Sequence, residues 1–233
     1  MNPVLISRHV SNEGPGYLAD YLDQHGIDWK LVCVDQGQSL PANLSGYSGL
    51  VFMGGTMSVN DSLPWIEDAV NLIRQAYDSQ MPVLGHCLGG QLMAMALGGT
   101  ITANPVKEYG WHKVDICRNE ITADWLGEHT EPVDAFHWHG ETFSLPDKAT
   151  RILTNRYCLN QGFVINNFLA LQCHIEMDEA LIESWIKAIA NNLPATSDSV
   201  QSPEQMRERL DERLSNMRSL ADQLYSQWIS CLK

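Results

Sequence analysis

Residues 83–99 read VLGHCLGGQLMAMALGG, and this segment constrains the fold more than any other part of the 233-residue chain. A short apolar run leads into Cys87, and a helical pattern follows over 88–97. Gly85 and Gly89 flank the cysteine at equal distances. A strand that turns sharply into a helix needs small neighbours, and it presents the turn residue at the carboxyl edge of a sheet. The segment therefore predicts an α/β fold with Cys87 at a ligand-binding edge.

A cysteine at the start of a helix has chemistry of its own. Unpaired backbone N–H groups and the positive end of the helix dipole favour the thiolate, which is the nucleophilic form. The spacing Gly85-x-Cys87-x-Gly89 is that of a nucleophile elbow with sulfur in place of oxygen. The alternative is a small buried residue at a glycine-rich turn. We take Cys87 as the candidate nucleophile.

A nucleophile needs a general base and a group that orients the base, and residues 169–176 offer both. This apolar stretch predicts a strand that ends in His174-Ile175-Glu176. Residues i and i+2 of a strand share a face, roughly 6.5 Å apart at Cα. Glu176 should therefore reach a ring nitrogen of His174, fix its tautomer and stabilise the imidazolium. A surface histidine and glutamate at a strand end is the alternative.

Acyl chemistry also needs donors for the oxyanion that develops during attack. Gly54 and Gly55 follow the third predicted strand, and a glycine backbone N–H can come close to a substrate because no Cβ intervenes. The N–H of Leu88, just after the nucleophile, is the natural second donor. We predict an oxyanion hole formed by Gly55 and Leu88.

Strands and helices alternate through the first part of the chain. Short apolar runs predict strands at 4–6, 29–34, 49–53 and 82–84, and helical patterns lie at 18–26, 64–77 and 88–97. Such alternation builds a parallel sheet that is covered on both faces. Residues 100–118 and 132–172 instead carry several strand-like runs without a clear helix for each. Residues 178–193 return to a helix.

The C-terminal region has a different character. After a polar stretch, Ser202, Pro203 and Gln205 have the residue types of a helix start. Apolar residues then recur at helical spacing to about residue 230: Met206, Leu210, Leu214, Met217, Ala221, Leu224 and Trp228. We predict a domain at 1–193, followed by a linker and an amphipathic helix at 194–233. The apolar stripe should dock on its own domain or on a second copy, as in a homodimer.

Composition argues against several classes of partner. The net charge of −13 argues against the electrostatic grip that nucleic-acid binding needs. No apolar run approaches the roughly 20 residues that span a bilayer, and the start MNPVLISRHV does not resemble a signal peptide. We therefore expect a cytoplasmic protein with no nucleic-acid or membrane partner. None of the six cysteines forms a CxxC pair, so free thiols are expected.

Three histidines raise the question of a metal. His137 and His139 form a His-x-His motif that can bind zinc, and His86 precedes the candidate nucleophile. The sequence shows no third ligand at a suitable spacing. We expect no metal and no other cofactor.

These motifs together resemble a known family. G-H-C-L-G-G-Q at 85–91, M-G-G at 53–55 and H-I-E at 174–176 resemble the class I, triad-type glutamine amidotransferase domain. The segments MGGTMSVNDSLPW at 53–65, EYGWHKV at 108–114 and FHWHGETFSLP at 136–146 resemble stand-alone members of that family. The resemblance covers roughly residues 1–193.

The resemblance implies both a fold and a reaction. The fold is a three-layer, doubly wound, mostly parallel sheet of the flavodoxin-like type, with a small antiparallel element and here a C-terminal helix. The reaction uses a Cys-His-Glu triad: Cys87 attacks the side-chain amide of glutamine, His174 moves protons, and Glu176 orients His174. A glutamyl thioester forms, ammonia leaves, and water completes hydrolysis. The implied substrate contacts are Gly54, Gln91, Trp138, His139 and Gly140.

The chain departs from the family pattern at two positions. Thr56 stands where proline often follows the two glycines, and Ile175 replaces the usual proline between His174 and Glu176. Neither change removes a functional group.

Three functions remain open at this point. The first is an amidotransferase that supplies ammonia to an acceptor held by a separate synthetase subunit. The second is a γ-glutamyl peptidase that acts on glutathione-like peptides, because the thioester intermediate is the same. The third is a catalytically silent binding protein of the same fold.

Overall fold

One mixed sheet organises the chain. The computed structural model describes residues 1–127, 129–189 and 193–233. The strands are β1 (Val4–Arg8), β2 (Trp29–Cys33), β3 (Gly49–Phe52), β4 (Val83–His86), β5 (Ile101–Ile116), β6 (Val133–Phe143), β7 (Thr150–Thr154), β8 (Gly162–Ile165) and β9 (Phe168–Leu171). The helices are α1 (Tyr17–Gln24), α2 (Pro64–Asp78), α3 (Leu88–Ala96), α4 (Glu120–Leu126), α5 (Glu179–Ile189), α6 (Pro203–Arg207) and α7 (Leu210–Ile229). The strand order is β2-β1-β3-β4-β9-β8-β7-β5-β6.

The first half of the sheet is parallel. It has the order β2-β1-β3-β4-β9, and the part β2-β1-β3-β4 follows the flavodoxin-like arrangement. Parallel neighbours end at the same edge of a sheet. The residues that follow β1, β3, β4 and β9 therefore meet at one edge, beside the point between β1 and β3 where the strand order reverses. Ligands of open α/β sheets bind at such a switch point.

The second half of the sheet is antiparallel, from β9 through β8, β7 and β5 to β6. The expectation of a mostly parallel sheet with a small antiparallel element is therefore wrong, since four pairings are parallel and four antiparallel. A parallel connection needs a long crossover, usually a helix. Between β5 and β9 the described residues contain a single helix, α4. The chain returns instead through turns such as the one between β8 and β9, where Asn166 has φ of 51°.

The sheet separates two hydrophobic clusters. Alternate residues of the parallel strands point to opposite faces: Val4 and Ile6 belong to one cluster, and Leu5 belongs to the other. Helices α1, α4, α5 and α7 bury their apolar residues in the first cluster, whereas α2 and α3 bury theirs in the second. The helices therefore cover both faces of the sheet, in three layers.

The C-terminal region is helical but interrupted. Ser202 and Gln205 form the expected capping box at the start of α6. The prediction of one continuous helix is wrong, because Arg209 adopts a left-handed conformation (φ 54°, ψ 38°) between α6 and α7. The stripe of α7 docks on its own domain through Leu214, Met217, Leu224 and Trp228, with Leu210 at its margin. In the described part of the chain, no helix combines the length and apolarity that a bilayer crossing requires.

Candidate active site

The elbow between β4 and α3 has the geometry that the sequence predicts. Cys87 has φ of 49° and ψ of −105° and forms the N-cap of α3. A Cβ on Gly89 would lie 1.9 Å from the carbonyl oxygen of Phe52 in β3, and a Cβ on Gly85 would lie 2.5 Å from the carbonyl carbon of Gly89. The start of the helix therefore packs too closely against the sheet for any side chain at either glycine. This packing holds a non-glycine residue in a strained conformation.

His174 and Glu176 meet beyond the strand rather than within it. Strand β9 ends at Leu171, so the predicted strand through residue 176 is wrong. Two backbone hydrogen bonds instead hold His174 to Phe136 of β6, at 2.8 and 3.1 Å. Nδ1 of His174 lies 2.6 Å from Oε1 of Glu176, and both side chains are buried. The predicted contact between the two residues is present, although the backbone that carries them lies beyond the end of strand β9.

The charges of this pair support each other. Burial lowers the pKa of His174, but the Glu176 carboxylate and the nearby Cys87 sulfur raise it well above its ordinary value. Burial raises the pKa of Glu176, but His86 and His174 lower it to about 2. Nε2 of His174 is buried and has no hydrogen-bond partner among the described residues. The arrangement favours an imidazolium whose second nitrogen is available to a thiolate or a substrate.

Two amide side chains lie beside the thiol. Gln91 donates through Nε2 to Oε1 of Gln172 at 3.2 Å, and Gln172 donates through Nε2 to the Cys87 sulfur at 3.6 Å. The amide N–H of Gln172 is therefore aimed at the sulfur of the candidate nucleophile. Gln172 was not singled out in the sequence, although it lies two residues before His174.

A second histidine, His86, lies near the other carboxylate oxygen of Glu176. Nε2 of His86 lies 3.6 Å from Oε2 of Glu176 and 3.1 Å from the hydroxyl of Tyr225 in α7. All three side chains are buried. Burial lowers the pKa of His86, against the opposing effect of the Glu176 carboxylate, and burial raises the pKa of Tyr225.

A cavity of about 360 Å³ opens at Cys87. Its lining includes six of the predicted site residues: Gly55, Cys87, Gln91, Trp138, His139 and Gly140. Gly54 and Leu88 do not line the cavity, but their chain neighbours Gly55 and Cys87 do. Trp185 of α5 also lines the cavity and contacts His174 edge-on, with ring centroids 4.7 Å apart.

Glu13 was missed in the sequence and lies in the same cavity. It belongs to the loop between β1 and α1, and its side chain is 7% exposed. A Cβ on Gly54 would lie 2.3 Å from Oε2 of Glu13 and 3.1 Å from Cε1 of His174, so the carboxyl group and the imidazole are neighbours. Burial raises the pKa of Glu13 to about 7. The only signal in the sequence was that this loop follows the first strand of a parallel sheet.

One cluster beside the cavity has the residue types of a metal site. Glu108, His137 and His139 place their potential ligand atoms within 4.8 Å of one another, so Glu108 is the third group that the spacing did not reveal. The Glu108 carboxylate lies 3.0 Å from His139 and accepts hydrogen bonds from Asn155 and Gln161. These partners satisfy the carboxylate as a buried polar network. Burial raises the pKa of Glu108, but His137 and His139 lower it to about 2.

Comparison with known proteins gives a consistent set of relatives. A family model described as glutamine amidotransferase class-I matches residues 16–183. The glutamine amidotransferase-like protein YfeJ of Salmonella typhimurium is 29% identical over 187 residues, or 77% of each chain. One of the subunits of the glutamine-hydrolysing GMP synthase of Thermoplasma acidophilum is 28% identical over 160 residues, or 67% of this chain and 76% of that protein. The crystal structure of a glutamine amido transferase from Methylobacillus flagellatus matches with a TM-score of 0.96 and 36% identity, covering 100% of this chain and 96% of that one.

Proposed function

Because the chain belongs to the class I glutamine amidotransferase family, whose enzymes use a cysteine nucleophile, we propose that it hydrolyses the side-chain amide of glutamine through Cys87, His174 and Glu176. One observation carries the assignment. The buried His174–Glu176 pair, with 2.6 Å between Nδ1 and Oε1, lies near a strained cysteine that lines the cavity. A strained residue and a buried charge pair persist only where the surrounding structure holds them.

In the first half of the reaction, the Cys87 thiolate attacks the amide carbon of the substrate. The backbone N–H groups of Gly55 and Leu88 stabilise the oxyanion. His174 donates its Nε2 proton to the departing nitrogen, the C–N bond breaks, and ammonia leaves. The product is a γ-glutamyl thioester on Cys87, and His174 is neutral.

In the second half, water attacks the thioester carbon while Nε2 of His174 removes a proton from the water. The C–S bond breaks, glutamate leaves, and the thiolate–imidazolium pair is restored. Glu176 keeps the ring of His174 in one orientation throughout and stabilises its charged form. Gln172, whose side-chain oxygen accepts from Gln91, donates to the sulfur of Cys87.

The assay is release of ammonia and glutamate from glutamine, measured for the wild type and for Cys87→Ala. The half-buried thiol Cys117 lies outside the cavity, so Cys117→Ala is the matched control and should keep wild-type rates. Loss of turnover in Cys87→Ala alone is the expected result. Wild-type rates in Cys87→Ala would place the nucleophile elsewhere and overturn the assignment.

A γ-glutamyl peptidase is the second candidate function. The residues that line the cavity favour a leaving group larger than ammonia. Tyr109, Trp138 and Trp185 line the cavity with aromatic surface, which a leaving group as small as ammonia does not need. A γ-glutamyl dipeptide assayed beside glutamine separates the two functions. A silent binding protein is the third candidate, and it predicts turnover of neither substrate.

The ammonia acceptor is a further part of the proposal. We propose that another polypeptide holds it. The similarity to the Thermoplasma acidophilum protein, whose name marks it as one subunit of the glutamine-hydrolysing GMP synthase, supports this. Copurification of a synthetase with the full chain, and faster glutamine turnover in its presence, are the expected results. Unchanged turnover with every copurifying protein would favour free ammonia as the product.

A further inference from the structure

Glu13 has a location that requires an explanation. It follows β1 at the sheet edge where Cys87 follows β4, and its carboxyl group covers Gly54 beside the ring of His174. The elbow chemistry described above does not use it. A carboxylate placed beside a thiolate and a developing oxyanion would oppose both charges. The imidazole of His174 is near it but is already paired with Glu176, so a further cation would compensate Glu13.

The side chain of Glu13 makes no hydrogen bond with any described residue, although it is more than nine-tenths buried. A buried carboxylate without donors is unfavourable. Such a group holds its proton to a higher pH than an exposed carboxyl group does, unless a cation binds beside it. Burial raises the pKa of Glu13 to about 7, which is consistent with this condition.

The other residues of the cavity indicate what kind of ligand it fits. Among its described lining residues there are two carboxylates, Glu13 and Glu141, and no lysine or arginine. Glu141 accepts a hydrogen bond from the hydroxyl of Ser58 at 3.1 Å and is only partly buried. Glu13 is therefore the carboxylate without a hydrogen-bond partner in this lining, and the imidazole of His174 beside it is already paired with Glu176.

We propose that Glu13 binds the α-ammonium group of the substrate, so that the site accepts γ-glutamyl compounds with a free α-amino group. The inference rests on the proposed function, because it assumes that a γ-glutamyl group occupies the cavity. The α-ammonium group is the one cation that glutamine and γ-glutamyl peptides share. It supplies both the positive charge and the N–H donors that Glu13 lacks. Glutamine acylated on its α-nitrogen, or placed inside a peptide chain, should be a poor substrate.

The experiment compares glutamine with glutaramate, which has the same amide but no α-amino group. The enzymes are the wild type, Glu13→Gln and the control Glu141→Gln, all as full chains. Losing one partner of a buried charge pair should lower kcat/KM for glutamine by roughly 30- to 1000-fold in Glu13→Gln. The same variant should leave kcat/KM for glutaramate within about threefold of wild type, so its preference for glutamine collapses. Glu141→Gln should keep the wild-type preference.

Other outcomes overturn the inference. If Glu13→Gln lowers the rates with both compounds equally, Glu13 acts on His174 rather than on the substrate. If Glu13→Gln keeps the wild-type preference, another group binds the ammonium. Either result leaves the proposed function intact, because the wild type still hydrolyses glutamine.

Failure of the proposed function has a different signature. In that case the wild type releases no ammonia from either compound. Calorimetry with Cys87→Ala then decides the ligand question without turnover. The ammonium site is supported if Cys87→Ala binds glutamine but not glutaramate, and if Cys87→Ala/Glu13→Gln no longer binds glutamine. Absence of glutamine binding overturns both proposals.

Discussion

The hydroxyl of Tyr225, near the end of α7, lies 3.1 Å from Nε2 of His86, the residue that precedes Cys87. The same nitrogen lies 3.6 Å from Oε2 of Glu176. A helix outside the matched family region therefore contributes a side chain to the polar chain that ends at the proposed triad. Because an ionised carboxylate only accepts, we expect the Nε2–H of His86 to lie between the Glu176 carboxylate and the hydroxyl oxygen of Tyr225, which accepts from it and holds the ring.

Tyr225→Phe removes only the hydroxyl and should lower kcat by roughly 2- to 10-fold, the effect of one neutral hydrogen bond. KM should not change, because Tyr225 does not line the cavity. The control is Tyr21→Phe, since Tyr21 stacks edge-on against Tyr225 and belongs to the same cluster. Steady-state kinetics of both variants test this role. Equal effects of the two changes on kcat would reduce Tyr225 to a packing residue.

Substitutions in the triad should differ in severity. Cys87→Ala removes the covalent bond and should abolish turnover, and His174→Ala should be nearly as damaging. Glu176→Gln should lower kcat by about 10²- to 10⁴-fold and leave measurable activity. Because the residues act as one unit, Cys87→Ala/Glu176→Gln should match Cys87→Ala alone. Glutamate release measures all four, and a Glu176→Gln variant as fast as wild type would contradict the role of Glu176.

Cys87 should be the most reactive thiol near neutral pH. It lies at a helix N-terminus beside His174, the surroundings typical of reactive cysteines. Burial raises the pKa of Cys158 to about 11 and the pKa of Cys173 well above its ordinary value. Mass-spectrometric mapping after limiting iodoacetamide should show Cys87 labelled first. Earlier labelling of the half-buried Cys231 would count against the elbow mechanism.

Helix α7 should be required for stability. Leu224 is fully buried in the first hydrophobic cluster, so Leu224→Ala should lower the free energy of unfolding by about 2–5 kcal/mol. The exposed Ser215 on the same helix is the control, and Ser215→Ala should have almost no effect. Truncation after Pro194 should be worse than Leu224→Ala in urea denaturation. An unchanged midpoint after truncation would contradict the docking of the apolar stripe on its own domain.

Glu13 should make stability depend on pH. Burial raises its pKa from 4.5 to about 7, with His174 lowering it and Glu176 raising it. A carboxyl group whose pKa is raised by folding destabilises the protein as pH rises from about 4.5 to 7, because the unfolded chain ionises first. Glu13→Gln removes this effect. The Tm of Glu13→Gln minus that of wild type should therefore increase between pH 4.5 and 7 and stay constant above pH 7. A difference that does not vary with pH would show that Glu13 is not the group responsible.

Local features were predictable because neighbours in sequence determine them. The elbow at Cys87 depends on two glycines within two residues, and the capping box at Ser202 depends on Gln205 three positions later. The contact between His174 and Glu176 also spans two residues. It is present although the expected strand is not, because the hydrogen bonds to Phe136 hold the backbone extended enough at that point.

Features that depend on distant segments could not be predicted in this way. Periodicity indicates that 101–171 contains strands. It does not give their direction, which depends on how the chain returns from one strand to the next. These returns made half of the sheet antiparallel. Apolar spacing continues through Arg209, so it gave no sign that a left-handed residue separates α6 from α7.

The sequence by itself determined the nucleophile elbow, the His-x-Glu pair and the alternation of strands and helices. Only the tertiary structure decided which groups surround them. Glu13 reaches His174 because β1 and β9 end at the same edge of the sheet. Tyr225 reaches His86 because α7 buries its apolar residues in the first hydrophobic cluster, which lies on the face of the sheet nearest to His86. These contacts join residues that are far apart in the chain, and the packing of whole elements, rather than any local spacing, brings them together.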